Sequence, residues 1–418
     1  TRLRTLNKGR EPLLRIRVLK FGGTSLADDE GRARAVRHVV GALREEVRPV
    51  VVVSAMGRRG EPYATDTLME LLMRTGAQPD ARETDLLLSC GELISAAVFC
   101  GLLQKEGIPA RAMTGGMAGI VTDERHGDAR IVDVRPQAVR EWLLKGYVVV
   151  VAGFQGYSRT GEITTLGRGG SDTSATALAA ALRAERADIF TDVDGVLTAD
   201  PRIVAEARRL DRISYTEVCS MAYNGAKVIH PRAVEIAMQA NLPIRVRSTF
   251  SDDEGTLVAS PPARGEGERV RERLVTGIAH AQGLTQIQIG VGSEQYDLHM
   301  RVFKAMAKHQ ISVDFLSVTP SDILFTVSDE ERERALCILR EELGCRAQGL
   351  PGCAKISVVG GGMNGVPGVM ARIAETLIAE DIPILQTADS NTTIWVLVDG
   401  GSMVKAVRAL HRAFQLHE

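Results

Sequence analysis

The chain has 418 residues, 44% hydrophobic and 25% charged, with a formal net charge of −1. That length is too great for one ordinary domain and suits two or three. The near-neutral charge leaves no long-range field to gather nucleic acid or an anionic membrane surface. Cys90, Cys100, Cys219, Cys337, Cys345 and Cys353 are scattered without a C-x-x-C pair. Zinc-ribbon and thioredoxin-like readings therefore lack support, and reduced thiols in a cytoplasmic protein are expected.

The N-terminal T-R-L-R-T-L-N-K-G-R-E-P is basic, and no apolar core follows it, so it does not read as a signal peptide. The longest apolar run, near Tyr147 to Phe154, falls far below a membrane span. Strands are predicted at Ile16–Phe21, Val50–Ser54, Tyr147–Phe154, Ala187–Thr191 and Pro243–Ser248. All are short, β-branched and almost continuously apolar, as strands buried on both faces should be. Helical runs such as Ser174–Arg186 lie between them, which implies an α/β domain with a mainly parallel sheet. Ser260–Arg273, rich in Pro, Gly and charge, reads as a linker or edge segment. An internal repeat follows. Arg301–Val327 aligns without a gap on Arg372–Val398, each predicting an amphipathic helix, a strand, a polar turn and a second strand. A seam between two such units is a natural place for a small ligand.

Four glycine-containing loops sit at predicted strand ends or helix starts: K-F-G-G-T-S (Lys20–Ser25), S-A-M-G (Ser54–Gly57), G-R-G-G-S-D-T-S (Gly167–Ser174) and T-D-V-D-G-V-L-T-A-D-P-R (Thr191–Arg202). Ligands of open parallel sheets gather at the carboxyl ends of strands, where glycine admits phosphate oxygens to backbone N–H groups. Arg168 offers a planar fork for a carboxylate or phosphate, and Ser171, Asp172 and Thr173 are placed to cap the next helix. Glu92, in S-C-G-E-L-I-S-A-A, either favours its helix dipole or binds an ammonium group. Lys227, flanked by Ala226, Val228 and Ile229, either snorkels or contacts phosphate. His230 precedes Pro231 and reads as turn punctuation rather than a base. No G-x-x-x-x-G-K-[ST] motif occurs. The G-x-G-x-x-G at Gly360, Gly362 and Gly365 reads better as a turn before a helix than as a dinucleotide site, because its unit is too short for a nucleotide-binding sheet.

Taken together, K-F-G-G-T-S, G-R-G-G-S-D-T-S, T-D-V-D-G-V-L-T-A-D-P-R and G-A-K-V-I-H-P-R resemble the aspartokinases of the amino-acid-kinase superfamily, from about Arg17 onward. D-L-L-L-S-C-G-E, V-V-A-G-F-Q-G and T-A-D-S-N-T-T-I-W-V-L-V look closest to the diaminopimelate-sensitive bacterial isoenzyme. The resemblance implies a catalytic domain over 15–260 with the amino-acid-kinase fold, a mainly parallel sheet sandwiched by helices. Two α+β ACT regulatory modules of βαββαβ type would follow at 274–348 and 350–418. It implies phosphorylation of the β-carboxylate of L-aspartate by ATP with Mg2+, the first step towards diaminopimelate, lysine, threonine and methionine.

By the same resemblance Lys20, Lys227 and Asp172 would be catalytic. Lys20, Phe21, Gly22, Gly23, Thr191, Asp192, Leu197, Asp200, Pro201, Arg202 and Lys227 would hold the nucleotide. Thr24, Ser25, Glu92, Arg168, Gly169, Gly170, Ser171 and Asp172 would hold the substrate, with Ser54 and Thr65–Thr67 as weaker candidates and no protein-held metal. An amino-acid effector, diaminopimelate by overall similarity, would bind at the seam around Val313–Ser321 and Gly362–Val369. The second repeat keeps a Pro367–Gly368 turn that the first lacks. A homodimer without nucleic-acid or membrane partners is expected. A carboxylate acceptor is ionised at neutral pH, so the missing His or carboxylate dyad suits this chemistry. The rivals are a sibling kinase for another carboxylate or carbamate, and a non-catalytic amino-acid sensor.

Overall fold

The computed structural model describes residues 14–76, 79–226, 228–261, 274–291, 297–363 and 366–418. Lys227, Gly365, the basic N-terminal stretch and nearly all of the predicted linker lie outside the described residues. The chain forms two compact units. One comprises residues up to Val196 with Asp211–Tyr215 and Val228–Pro262. The other comprises Leu197–Leu210, Thr216–Lys227 and the chain from Ala263 onward.

The first unit begins β1 (Ile16–Phe21), α1 (Asp29–Arg44), β2 (Arg48–Val53), α2 (Thr65–Met73), α3 (Ala81–Lys105) and β3 (Ala110–Met113). It continues with β4 (Ile120–Thr122), β5 (Ile131–Val134), α4 (Gln137–Leu144), β6 (Val148–Ala152), β7 (Gln155–Ser158), β8 (Ile163–Thr165), α5 (Gly170–Leu182) and β9 (Arg186–Thr191). After β10 (Arg212–Ile213) the chain passes through α6 (Tyr215–Tyr223), which belongs to the second unit beyond Tyr215, and the first unit closes with α7 (Pro231–Gln239), β11 (Ile244–Ser248) and β12 (Thr256–Val258). Eight strands form one sheet in the order β10-β12-β11-β9-β1-β2-β6-β3. Every pair is parallel except β11 with β12. The valine runs of β2 and β6 sit inside this sheet and are fully buried, as the continuous apolar pattern requires. β5-β4-β7-β8 make a smaller sheet.

Alternation along β1 sends Leu19 and Phe21 into a core with α1 and α3, where Phe21 stacks on Phe99 and Phe190. Lys20 faces the other way and meets the first turn of α5. The predicted helix Ser174–Arg186 lies four residues too late. Helix α5 starts at Gly170, and Arg183 ends it in the left-handed conformation before Arg186 opens β9. Helix α3 is long and apolar enough to cross a membrane, a property the sequence reading did not register. Half of its apolar window is buried within the fold, and Asp85 and Glu92 are among its buried residues, so it serves as a core helix.

The second unit is built from β13 (Gly277–Gly290), α8 (Leu298–Lys308), β14 (Asp314–Val318), β15 (Asp322–Ser328), α9 (Arg332–Glu341) and β16 (Ala347–Val359). Then come α10 (Val369–Ala379), β17 (Gln386–Asp389), β18 (Thr393–Asp399) and α11 (Met403–Ala413). The sheet order is β14-β15-β13-β16-β18-β17, so each repeat supplies one half. The aligned positions Val302, Met306, Ile323 and Phe325, and Ile373, Leu377, Ile394 and Val396, are all buried, each set in its own core. β13 and β16 are long because each serves both halves. Residues 277–281 of β13 pair with the end of β16, and residues 286–289 pair with its beginning.

Candidate active site

The switch point of the large sheet lies between β1 and β9, from which the chain leaves in opposite directions. The loops after β1, β2 and β9 gather there. Gly23 lets the first two interlock. A Cβ at this position would stand 2.6 Å from the Ala55 carbonyl, and the Gly57 N–H donates to the Gly23 carbonyl at 3.0 Å. Ser54 N–H donates to the Phe21 carbonyl at 3.1 Å. Phe21 therefore presents only backbone to this loop. Its ring lies in the core, so only its backbone is placed to serve a nucleotide there. Thr24 and Ser25 open a short 3-10 turn, and the buried Ser25 hydroxyl accepts from Thr249 at 2.7 Å.

Lys20 Nζ stands 2.7 Å from Asp172 Oδ1, both side chains nearly buried. That oxygen accepts no hydrogen bond of good geometry from any described residue, so the pair is held by charge alone. The other Asp172 oxygen accepts the His230 N–H at 3.3 Å. Contrary to expectation, Ser171, Asp172 and Thr173 do not cap α5. Its N-cap is Gly169 at φ +70°, and the hydroxyls of Thr173 and Ser174 turn back to the carbonyls of Gly169 and Gly170. Ser171 packs on Gly153, where a Cβ would lie 2.9 Å from it. His230 is more than turn punctuation, because its ring covers Gly169 so closely that a Cβ there would approach it to 2.1 Å. Burial lowers the His230 pKa, which Asp172 opposes and Arg232 and Arg168 reinforce.

Glu92 is 2% exposed. The Ala55 N–H donates to its Oε1 at 3.1 Å, while Oε2 has no partner among the described residues. Burial pushes the Glu92 carboxyl up to about 8, against the pull of the Ala55 N–H and its own backbone N–H. Such a group lacks a cation. Arg168 is exposed and makes no hydrogen bond or ion pair among the described residues, so its fork is available.

The sequence-predicted nucleotide loop divides between the units. Thr191 and Asp192 end β9 in the first, where Asp192 is bound by Arg58 at 2.8 Å. Leu197, Asp200, Pro201 and Arg202 belong to the second, where Arg202 holds Asp200 at 2.7 Å and lowers that carboxyl's pKa. Of the weaker candidates, Thr67 uses its hydroxyl to accept the Gly60 N–H at 3.0 Å, a structural task. A cavity of about 300 Å³ opens on the α1 face of the sheet, lined among others by Arg17, His38, Asp188, Arg247 and Thr249. Three of its lining charges are already matched, Arg17 with Glu45 and Asp188 with Arg186 outside it.

Sequence reasoning passed over Asp85, Arg232 and Thr249, which fasten the loops. Only Asp85 left a trace, a second acidic residue one face-repeat before Glu92 in D-L-L-L-S-C-G-E.

Residues 15–248 match the amino acid kinase family, and residues 349–412 match the ACT domain. The chain is 53% identical over 403 residues to aspartokinase 1 of Bacillus subtilis, covering 96% of this chain and all of that one. Among solved structures it is similar to E. coli aspartokinase III in complex with aspartate and ADP, in the R-state. The TM-score is 0.77 and the identity 28%, over 95% of this chain and 99% of that one. It is also similar to the same enzyme in complex with lysine and aspartate, in the T-state, at TM-score 0.75 and 27% identity, over 96% and 99%. The lysine at the end of β1, the paired Asp172 and the glycine loops at the switch point thus stand in a chain that belongs to the amino acid kinase family, as an aspartokinase with a C-terminal ACT region.

Proposed function

We propose that this kinase transfers the γ-phosphoryl group of Mg-ATP to the β-carboxylate of L-aspartate, giving 4-phospho-L-aspartate for diaminopimelate, lysine, threonine and methionine biosynthesis. The observation that carries the reading is one site that offers two cationic side chains and a buried, under-bonded carboxyl. Lys20 is held near-buried by Asp172, Glu92 has an unpartnered oxygen, and the Arg168 fork is unpaired. Glu92 takes the substrate ammonium, which supplies the cation its burial lacks. Arg168 takes a carboxylate, with Gly169, Gly170, Ser171 and Asp172 lining that side and Thr24 and Ser25 the near edge. Lys20, with Gly22 and Gly23 leaving room for phosphate oxygens, neutralises charge on the transferred group. Thr191, Asp192, Leu197, Asp200, Pro201 and Arg202 serve the nucleotide, as does Lys227. A carboxylate oxygen attacks the γ-phosphorus and the bond to the β-phosphate oxygen breaks, with no proton to remove.

Magnesium enters as the nucleotide complex. No group of three or more His, Cys, Asp or Glu side chains among the described residues is placed to hold a metal, and Mg2+ ordinarily binds through substrate phosphates. Assay with L-aspartate and a panel of other amino acids, trapping the acyl phosphate with hydroxylamine, tests the acceptor. Trapping with L-aspartate alone is expected, and equal trapping with another acceptor would overturn it.

We read 15–260 as the kinase domain and 274–348 and 350–418 as the two ACT modules. The effector reading shifts with the structure. A cavity of about 400 Å³ lies within the second repeat, lined by Met363, Pro367, Gly368, Met370, Asp389 and Ser390 among others. Its lining falls in the expected stretch 362–369 and includes none of 313–321. Asp389 offers a carboxylate to an amino-acid ammonium, and α10 directs its N-terminus at a carboxylate. Diaminopimelate is the proposed ligand. Inhibition assays with diaminopimelate, lysine and threonine, singly and in pairs, decide among them. A cytoplasmic homodimer is the proposed state.

A further inference from the structure

Asp85 lies seven residues before Glu92 on α3, so the two carboxylates share one helix face two turns apart. Glu92 is under-bonded; Asp85 is saturated. Its oxygens accept the Gly127 N–H at 3.1 Å, the Thr165 N–H at 3.0 Å, the Thr165 hydroxyl at 2.5 Å and His126 Nδ1 at 2.8 Å. Asp85 is fully buried, and these donors replace the water its carboxylate oxygens give up on burial. All of them belong to the 126–127 turn and the end of β8, which carry no predicted site residue.

Those two stretches support the Arg168 loop. Thr165 is three residues from Arg168. Gly167, at φ +70°, rests on the Asp85-bound turn so closely that a Cβ would lie 2.9 Å from Asp128 Oδ1 and 3.1 Å from the Gly127 carbonyl. Arg232 of α7 clamps the same place, donating to the Leu166 carbonyl at 2.6 Å, the Ala129 carbonyl at 2.9 Å and Asp128 at 3.0 Å. Beyond this bracket the Arg168 guanidinium has no partner of its own, so only the backbone fixes its direction.

We propose that Asp85 is a positioning residue for Arg168: its buried carboxylate ties Gly127 to Thr165, fixes the path of Gly167, and so aims the guanidinium at the acceptor's carboxylate. This rests on the reading that Arg168 binds L-aspartate. The test is steady-state kinetics of the full chain with L-aspartate and Mg-ATP varied separately, for Asp85→Asn, Arg168→Ala and the double variant, with melting temperatures. An asparagine turns an NH2 group towards existing donors. The KM for L-aspartate is expected to rise roughly tenfold or more, with the KM for Mg-ATP changed less than about twofold. Because both residues act through one contact, the double variant is expected to be no worse than Arg168→Ala. Should Asp85→Asn fail to fold, Thr165→Val and His126→Ala each remove one donor and are expected to raise the same KM by a few fold. An unchanged KM for L-aspartate in the folded variants, an equal rise in both KM values, or multiplying effects in the double variant would overturn the proposal. If Arg168→Ala itself leaves the KM for L-aspartate unchanged, the substrate reading falls. If Arg168→Ala weakens L-aspartate and the Asp85 series does not, only the positioning role falls.

Discussion

Lys20 and Glu92 show how burial gives a side chain its chemistry. Lys20 sits at the end of a buried strand with one carboxylate beside it. Replacement by alanine is expected to lower kcat about 10²–10³-fold, the usual cost of removing one transition-state charge contact. Circular dichroism and the melting curve should show a folded chain. Near-normal turnover would remove Lys20 from the chemistry. Glu92 yields a pH dependence whose sign is fixed. Its carboxyl titrates at about 8 in the folded chain, so at pH 7 it is mostly protonated and must lose that proton to meet an ammonium. The KM for L-aspartate is therefore expected to rise as pH falls below 8, approaching tenfold per pH unit. Glu92→Gln should weaken binding and flatten the profile. The raised folded pKa also means that stability is lost as pH rises from the unfolded value of 4.5 through 8. Glu92→Gln should thus melt higher than the parent at pH 9 and alike at pH 4. Neither property could be read from S-C-G-E alone, where a helix-dipole role and an ammonium site were equally good, because burial depends on β2 and the loop after it.

At the scale of elements, the site is a set of loops fastened by close backbone approaches. Gly169→Ala tests this. Its left-handed backbone alone costs about 1–2 kcal/mol with a Cβ, and the added methyl would overlap the His230 ring. The loop must shift, so a fall of a few degrees in melting temperature with at least tenfold loss of kcat/KM for L-aspartate is expected. A variant that keeps full activity would show that the 167–172 path is not needed. The central strands were legible because buried parallel strands are continuously apolar: β1 matches its predicted bounds, and β2, β6, β9 and β11 differ by one or two residues at an end. The start of α5 was misplaced because G-G-S-D-T-S carries cap-type side chains that turn back into the helix, leaving the cap to a left-handed glycine.

At the scale of the whole molecule, the stretch proposed to serve the nucleotide shares a core with the C-terminal sheet. Ala199 and Val204 are buried with Ile356, Met363, Val369 and Ile373, and two of these four, Met363 and Val369, also line the proposed effector cavity. The Thr198 hydroxyl lies 3.0 Å from His411 Nε2, and the Thr198 carbonyl accepts the Ile278 N–H at 2.8 Å. Val204→Ala removes buried volume next to Leu197–Arg202 and is expected to destabilise the second unit by about 1–3 kcal/mol. It should raise the KM for Mg-ATP, leave that for L-aspartate unchanged and weaken effector inhibition. Unaltered ATP kinetics and inhibition in a destabilised variant would separate the regulatory core from the nucleotide.

The sequence by itself determined the α/β and α+β classes, the gapless repeat and the loops that carry charge, because apolar periodicity and glycine placement are local properties. Helices Leu298–Lys308 and Val369–Ala379 begin and end at the same repeat offset, as the alignment of the two stretches required. Only the tertiary structure decided which charges meet. Lys20 is 152 residues from Asp172, and Asp85 is 80 from Thr165. The sharing of β13 and β16 between two half-sheets, the passage of Leu197–Arg202 into the regulatory core and the burial of Glu92 are likewise long-range facts. Each depends on elements whose pairing no sequence window contains.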